Sequence, residues 1–64
     1  MKLTSKIIKL RKVQKMSQQE VAFFLGVAQS TYHNWETGTN VPNLKYIPLI
    51  SKLFNIPMSE LFEE

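Results

Sequence analysis

Four side chains near the middle of the sequence can both donate and accept hydrogen bonds: Gln29, Ser30, His33 and Asn34. An α-helix turns by about 100° per residue, and at that angle the four would lie on one side. Amides of Gln and Asn can pair bidentately with adenine N6 and N7, and a Ser hydroxyl can serve several bases. The pattern therefore indicates a base-reading surface. An ordinary solvated helix surface has the same composition, and this side alone does not decide between the two.

The opposite side of the same helix has a different character. Tyr32 and Trp35 fall there, and they would bury a large apolar area while turning an O–H or N–H towards a partner. The sequence predicts that this helix runs from about Gln29 to Thr37 and that Gly38 supplies the left-handed residue that closes it. We expect the two aromatic residues to anchor the helix and leave its polar side free.

Another helix is predicted immediately before this one. Ser17 and Glu20 have the spacing of a capping box, in which each side chain bonds to the other residue's backbone N–H, and Gly26 ends the helix. About three residues then separate the two helices, which is the short link of a helix-turn-helix.

The segments on either side of this pair are helical in pattern too. An amino-terminal helix is expected to end near Lys15, with an apolar stripe formed by Leu3, Ile7 and Leu10. A fourth helix has apolar positions at helical spacing: Leu44, Ile47, Ile50, Leu53 and Phe54. Pro48 lacks an N–H and fits a first turn, so regular helix should start near Lys45 after a looser turn, with a kink as the alternative. A short fifth helix enters at Pro57, with inward positions at Ile56, Leu61 and Phe62. The chain is thus predicted to be all-α with five helices.

Length and charge narrow the class of protein. The 64 residues are enough for one domain, 1–64, and the chain has no cysteine, so its core must come from packing alone. Its net charge is +3, with six basic residues before the first acidic one, Glu20, and with Glu60, Glu63 and Glu64 near the end. This basic pole suggests a polyanionic partner, either nucleic acid or an anionic membrane surface.

Several kinds of function are difficult to build from these residues. The chain has no aspartate and one histidine, so paired catalytic acids, a nucleophile triad or a multi-histidine metal site are not expected, and neither is a cofactor or a small-molecule ligand. The apolar runs are too short to cross a bilayer, and the apolar stripe of the first helix is needed for the core rather than for a membrane surface. We expect a soluble, cytoplasmic protein that is not an enzyme.

Nearly the whole chain resembles one known family. The matching segments are LRK at 10–12, MSQQEVA at 16–22, LGVAQSTYHNWETG at 25–38, Pro42, and SKLFNIPMSELF at 51–62. They are similar to the Cro and phage-repressor type of DNA-binding domain, also called the XRE type, whose five-helix, lambda-repressor-like fold has a helix-turn-helix at helices two and three. The resemblance implies sequence-specific binding of duplex DNA, with the helix that begins at Gln29 in the major groove.

The resemblance also implies roles for individual residues. Gln29, Ser30 and Asn34 occupy base-reading positions, and His33 lies beside them. Contacts to DNA phosphates are implied for Gln18, Thr39 and Asn40. Lys45 is also predicted to contact a phosphate. An ion pair between Arg11 and Glu36 would hold the third helix on the first; the alternative is two exposed charges that contribute roughly 0–1 kcal/mol. One such helix gives limited specificity, so two copies on a palindromic site are expected, forming a homodimer at least on DNA and acting as a repressor.

Two features depart from the family pattern. Ala28 stands where the family usually has a capping Ser or Thr, which gives up on the order of 1 kcal/mol. Phe23 and Phe24 stand where polar residues are more usual; they form either an interaction surface or part of the packing against the chain ends. The phenylalanine pair keeps open a second function, a protein-binding module on the same fold, such as an antitoxin or anti-repressor.

Overall fold

The structure, a computed structural model, describes the backbone of residues 2–62 and the side chains of residues 3–62, so Glu63, Glu64 and the ends of the predicted domain 1–64 lie outside the described residues. Its elements are α1 (Lys2–Val13), α2 (Gln18–Leu25), α3 (Gln29–Thr37), α4 (Ile47–Phe54) and α5 (Met58–Leu61), with a 3₁₀ turn at Leu44–Tyr46 before α4. No strand occurs within residues 2–62, which confirms the all-α prediction. No helix in this part of the chain is long and apolar enough to cross a membrane.

Local capping sets the limits of α2. The Ser17 side chain accepts from the Glu20 N–H at 3.0 Å, and the Glu20 carboxylate accepts from the Ser17 N–H at 2.8 Å, so the predicted capping box is confirmed. At the other end Gly26 adopts φ 74°, and the Val27 N–H donates to the Ala22 carbonyl at 3.0 Å. This left-handed glycine turns the chain sharply and lets α3 begin three residues later.

The helices enclose one core to which every α-helix contributes. Its buried apolar residues are Leu3, Ile7, Val21, Ala22, Leu25, Tyr32, Trp35, Ile47, Ile50, Phe54 and Leu61. The predicted stripe of α1 therefore faces inward, with Leu10 partly buried against the core. Because α1 and α2 both contact α3, the core fixes α3 from two directions and positions its outer side.

Two predictions from apolar spacing are wrong. Leu44 is 80% exposed; it lies in the 3₁₀ turn, before the first residue of the regular helix α4. Phe62 is 52% exposed, because it follows the last residue of the one-turn helix α5, in which Leu61 alone is buried. The looser turn before α4 is confirmed, and regular helix starts at Ile47, with Pro48 in its first turn.

Candidate DNA interface

The third helix is held by aromatic residues on its inner side. Tyr32 is fully buried and Trp35 is 4% exposed; their rings meet edge to face with centroids 6.0 Å apart, and Trp35 also packs on Tyr46 at 5.3 Å. The Tyr32 hydroxyl is buried, has no hydrogen-bonding partner among the described residues, and has its pKa raised mainly by burial. Through these contacts Tyr32 and Trp35 pack the inner side of α3 against the core.

The outer side of α3 carries the predicted base-reading residues. Gln29, Ser30 and His33 are exposed and Asn34 is half-buried. Within the described part of the chain, the side chains of Gln29, Ser30 and Asn34 take part in no hydrogen bond. They keep their donors and acceptors for a partner outside the domain.

An ion pair joins α1 to the end of α3. Arg11 donates from Nε to Glu36 Oε2 at 2.6 Å and from Nη2 to Glu36 Oε1 at 3.1 Å, while its Nη1 donates to the Met16 carbonyl at 3.0 Å. The side chains are 15% and 6% exposed, so the two-exposed-charges alternative does not describe this pair. Burial alone would raise the pKa of Glu36, but the hydrogen bonds donated by Arg11, together with that of Gln18, outweigh it and hold the pKa below its ordinary value.

Gln18 extends this ion pair to the outer side of α3. Its Nε2 donates to Glu36 Oε1 at 2.9 Å, and its Oε1 lies 3.2 Å from His33 Nδ1. The resemblance implied a phosphate contact for Gln18 and did not imply these two bonds. The spacing of His33 and Glu36, three residues apart on one helix, predicts only that one side chain could reach both, and not that this side chain is Gln18.

The loop after α3 turns back towards the outer side of α3. Gly38 adopts φ 82°, the Asn40 N–H donates to the Asn34 carbonyl at 3.2 Å, and the hydroxyls of Thr37 and Thr39 lie 2.8 Å apart. Thr39 and Asn40 thus lie beside Asn34.

Lys45 is not joined to the other predicted phosphate-contacting residues by any hydrogen bond in the described structure. It is exposed in the 3₁₀ turn, where its backbone N–H is capped by Asn43 and its Nζ lies 5.2 Å from the centre of the Tyr46 ring.

Comparison with known proteins accounts for this arrangement of helices. A family model described as "Helix-turn-helix" matches residues 7–61, which is most of the chain. The chain belongs to the XRE-type helix-turn-helix family. Its five α-helices are those of the lambda-repressor-like domain, as the resemblance implied. Members of this family are DNA-binding transcription regulators.

Three curated relatives illustrate what the chain is similar to. It is 36% identical over 61 residues to the "Cryptic phage CTXphi transcriptional repressor RstR" of Vibrio cholerae, matching 95% of this chain and 55% of that protein. It is 31% identical over 61 residues to the "HTH-type transcriptional activator BcrR" of Enterococcus faecalis, matching 95% of this chain and 30% of that protein. It is 36% identical over 56 residues to the "HTH-type transcriptional regulator AnsR" of Bacillus subtilis (strain 168), matching 88% of this chain and 48% of that protein. The chain therefore spans about a third to a half of the length of these relatives, and no solved structure gives a significant match.

The first departure from the family pattern, at Ala28, lies at the start of α3. Ala28 occupies the N-cap of α3 and provides no side-chain cap. The core contacts of Tyr32 and Trp35 hold this helix without the usual capping hydroxyl.

The second departure is an exposed phenylalanine pair on α2. Phe23 is 86% and Phe24 is 65% exposed, so the interpretation that they pack against the chain ends is wrong. Together with Met16, Gln19 and Glu20 they line a shallow, open depression.

Within residues 2–62 no group of three or more His, Cys, Asp or Glu side chains could hold a metal ion.

Proposed function

We propose that this domain binds duplex DNA sequence-specifically by placing the amino-terminal half of α3 in the major groove, and that it regulates transcription from the bound site. One observation carries the proposal. Gln29, Ser30 and Asn34 leave the hydrogen-bonding capacity of their side chains unused within the described domain, while the opposite side of their helix is fixed in the core. Amides and hydroxyls on a helix held in this way match the donor and acceptor pattern of base edges in the major groove.

Contacts to phosphates would set the position of α3 on the duplex. The Gln18 amide uses one N–H for Glu36, so its second N–H remains for a phosphate oxygen, and its backbone N–H lies in the first turn of α2, where the helix dipole favours an anion. Thr39 and Asn40 would contact the DNA backbone on the other side of the proposed base-reading residues. Lys45 would add a contact between its charge and a DNA phosphate. The net charge of +3 supports a salt-dependent attraction that precedes base reading.

Regulation would follow from occupancy of a promoter. Two copies on a palindromic site, with half-sites about one helical turn or 10 bp apart, would provide the specificity that one reading helix lacks. We propose repression, by blocking polymerase; the Vibrio cholerae relative is named a transcriptional repressor. The activator among the relatives shows that this domain type also occurs in proteins of the opposite effect.

Selection of bound duplexes from a random pool tests the proposal. We expect enrichment of a palindrome, which would give the site and the stoichiometry together. On that site, Asn34→Ala should weaken binding by about 1–3 kcal/mol and relax the preference at one base pair, with little change on unrelated DNA. Ser59→Ala, an exposed polar change on α5, is the matched control and should bind like the wild type. Equal losses for Asn34→Ala on every DNA sequence would refute the base-reading assignment.

A protein-binding role is the second candidate, and the exposure of Phe23 and Phe24 favours it. Such a role would need the apolar side of α2 and would make no use of the polar side of α3. Absence of any enriched duplex, together with capture of a protein that Phe23→Ser abolishes, would favour this function over DNA reading.

A further inference from the structure

The hydrogen bonds around Glu36 have a direction that the chemistry of the groups determines. A carboxylate can only accept, and Glu36 accepts from two nitrogens of Arg11. Whichever atom of the Gln18 amide faces this carboxylate at 2.9 Å must therefore be the NH₂ nitrogen. The opposite orientation would place the amide oxygen against a carboxylate oxygen, with no proton between them.

This orientation leaves the Gln18 oxygen facing His33. An amide oxygen can only accept, and it lies 3.2 Å from His33 Nδ1. The contact is therefore a hydrogen bond only when Nδ1 carries the proton. The other tautomer would set the Nδ1 lone pair against the lone pairs of the amide oxygen.

The other ring nitrogen is free for a partner. His33 is exposed, and no residue among 3–62 forms a hydrogen bond with its Nε2. Nε2 lies on the far side of the ring from the bond to Gln18. In the neutral ring with a proton on Nδ1, Nε2 has a lone pair and accepts hydrogen bonds.

We propose that Glu36, acting through Gln18, fixes neutral His33 as the Nδ1–H tautomer, so that His33 presents an acceptor to the major groove and selects a base whose exocyclic amino group lies in that groove, adenine or cytosine. The base preference rests on the proposed DNA-binding function, whereas the tautomer is a property of the free domain. Gln18 and Glu36 are positioning residues in this scheme, because they determine which hydrogen-bonding group His33 offers. Adenine N6 and cytosine N4 donate in the major groove, whereas guanine O6 and N7 and thymine O4 accept.

The tautomer can be measured without DNA. His33 is the only histidine of the chain, so its two ring nitrogens give unambiguous ¹⁵N signals at alkaline pH, where an imidazole is neutral. We expect mainly Nδ1–H in the wild type and a shift to Nε2–H, the form that free histidine favours, in Gln18→Ala. Gln19→Ala is the control, because this neighbouring exposed glutamine makes no bond to His33. Mainly Nε2–H in the folded wild type, or an unchanged tautomer in folded Gln18→Ala, would overturn the proposal.

The base preference is tested on selected duplexes. The base pair contacted by residue 33 is the one at which His33→Ala relaxes the preference. Because every base pair contains one exocyclic amino group in the major groove, the group itself has to be removed, by replacing adenine with purine or cytosine with 2-pyrimidinone at that pair. This change should weaken binding of the wild type by about 3- to 10-fold, the discrimination of one hydrogen bond, and should not weaken binding of His33→Ala. His33→Gln, whose amide near the Nε2 position can turn to donate or accept, should respond less than the wild type. Unchanged wild-type binding after removal of the amino group would overturn the base-selection step. If no duplex is enriched at all, the proposed function fails, while the tautomer experiment still decides the positioning step.

Discussion

Replacing Glu36 by glutamine tests the ion pair on which the position of α3 depends. The carboxylate accepts three hydrogen bonds, two from Arg11 and one from Gln18. A glutamine of the same shape offers one oxygen and one NH₂ group, so at least one donor of Arg11 or Gln18 would face another donor. The substitution also leaves the guanidinium without its counter-charge in a site where its side chain is 15% exposed.

The expected loss of stability follows from the burial of this pair. Removing one partner of a buried ion pair costs about 3–5 kcal/mol. Arg11 keeps its hydrogen bond to the Met16 carbonyl at 3.0 Å and some access to water, which relieves part of that penalty. We therefore expect Glu36→Gln to lower the free energy of unfolding by about 2–3 kcal/mol at neutral pH, a large share of the stability of a small domain.

The loss of unfolding free energy in Glu36→Gln should become smaller at acid pH. The pKa of Glu36 lies below its ordinary value of 4.5 in the folded protein. Such a group contributes its full stabilisation above the unfolded-state pKa and loses it as the pH falls through the folded-state pKa. The difference between the wild type and Glu36→Gln should therefore be constant from neutral pH down to about pH 5 and should shrink below pH 4.5.

Urea unfolding followed by tryptophan fluorescence measures this difference, because Trp35 lies next to Glu36 on α3 and is the only tryptophan. Glu60→Gln is the matched control: it makes the same chemical change at an exposed position of α5 and should alter stability by less than about 0.5 kcal/mol. An unfolding free energy for Glu36→Gln equal to that of the wild type would show that the ion pair does not secure α3. A difference that persists unchanged at pH 3 would refute the role of the carboxylate charge.

Three further substitutions test separate parts of the reasoning. Ala28→Ser should raise the free energy of unfolding by about 1 kcal/mol by capping α3; a lower melting temperature would contradict this. Lys45→Ala should reduce the salt dependence of DNA binding by about one unit of slope, whereas Lys52→Ala removes the same charge from α4 and should leave the slope nearly unchanged. Equal slopes of salt dependence for the two variants would show that Lys45 does not contact a DNA phosphate. Tyr32→Phe should leave the unfolding free energy unchanged or slightly higher, because the buried hydroxyl has no hydrogen-bonding partner in the described structure; a loss above about 1 kcal/mol would contradict this.

The features that were predictable from sequence are those decided by neighbouring residues. The capping box of Ser17 and Glu20 and the left-handed glycines Gly26 and Gly38 set the limits of α2 and α3, because each is a contact or backbone conformation within a few residues. Apolar spacing was a weaker guide where elements are short. It failed at Leu44, which lies in a short 3₁₀ turn and precedes the regular helix α4.

The hydrogen bonds of Gln18 illustrate what sequence patterns do not contain. They depend on where the first turn of α2 lies relative to the last turn of α3, and the packing of both helices on the core determines that distance. The resemblance supplied a phosphate contact for this position. It did not supply the bonds to Glu36 and His33, because those require a histidine and a glutamate three residues apart beneath the amide.

The four proposed base-reading residues differ in how freely they can vary. Gln29, Ser30 and Asn34 have side chains without hydrogen bonds to the described domain, so substitutions there change the surface offered to DNA at little cost in stability. His33 is bonded to Gln18, which is bonded to the carboxylate that holds α3, so a change at His33 also disturbs the support of the helix. In this domain the residues that fix α3 are therefore largely separate from the proposed base-reading residues. In this chain His33 is the position where the two roles meet, and it is there that specificity and helix position should change together.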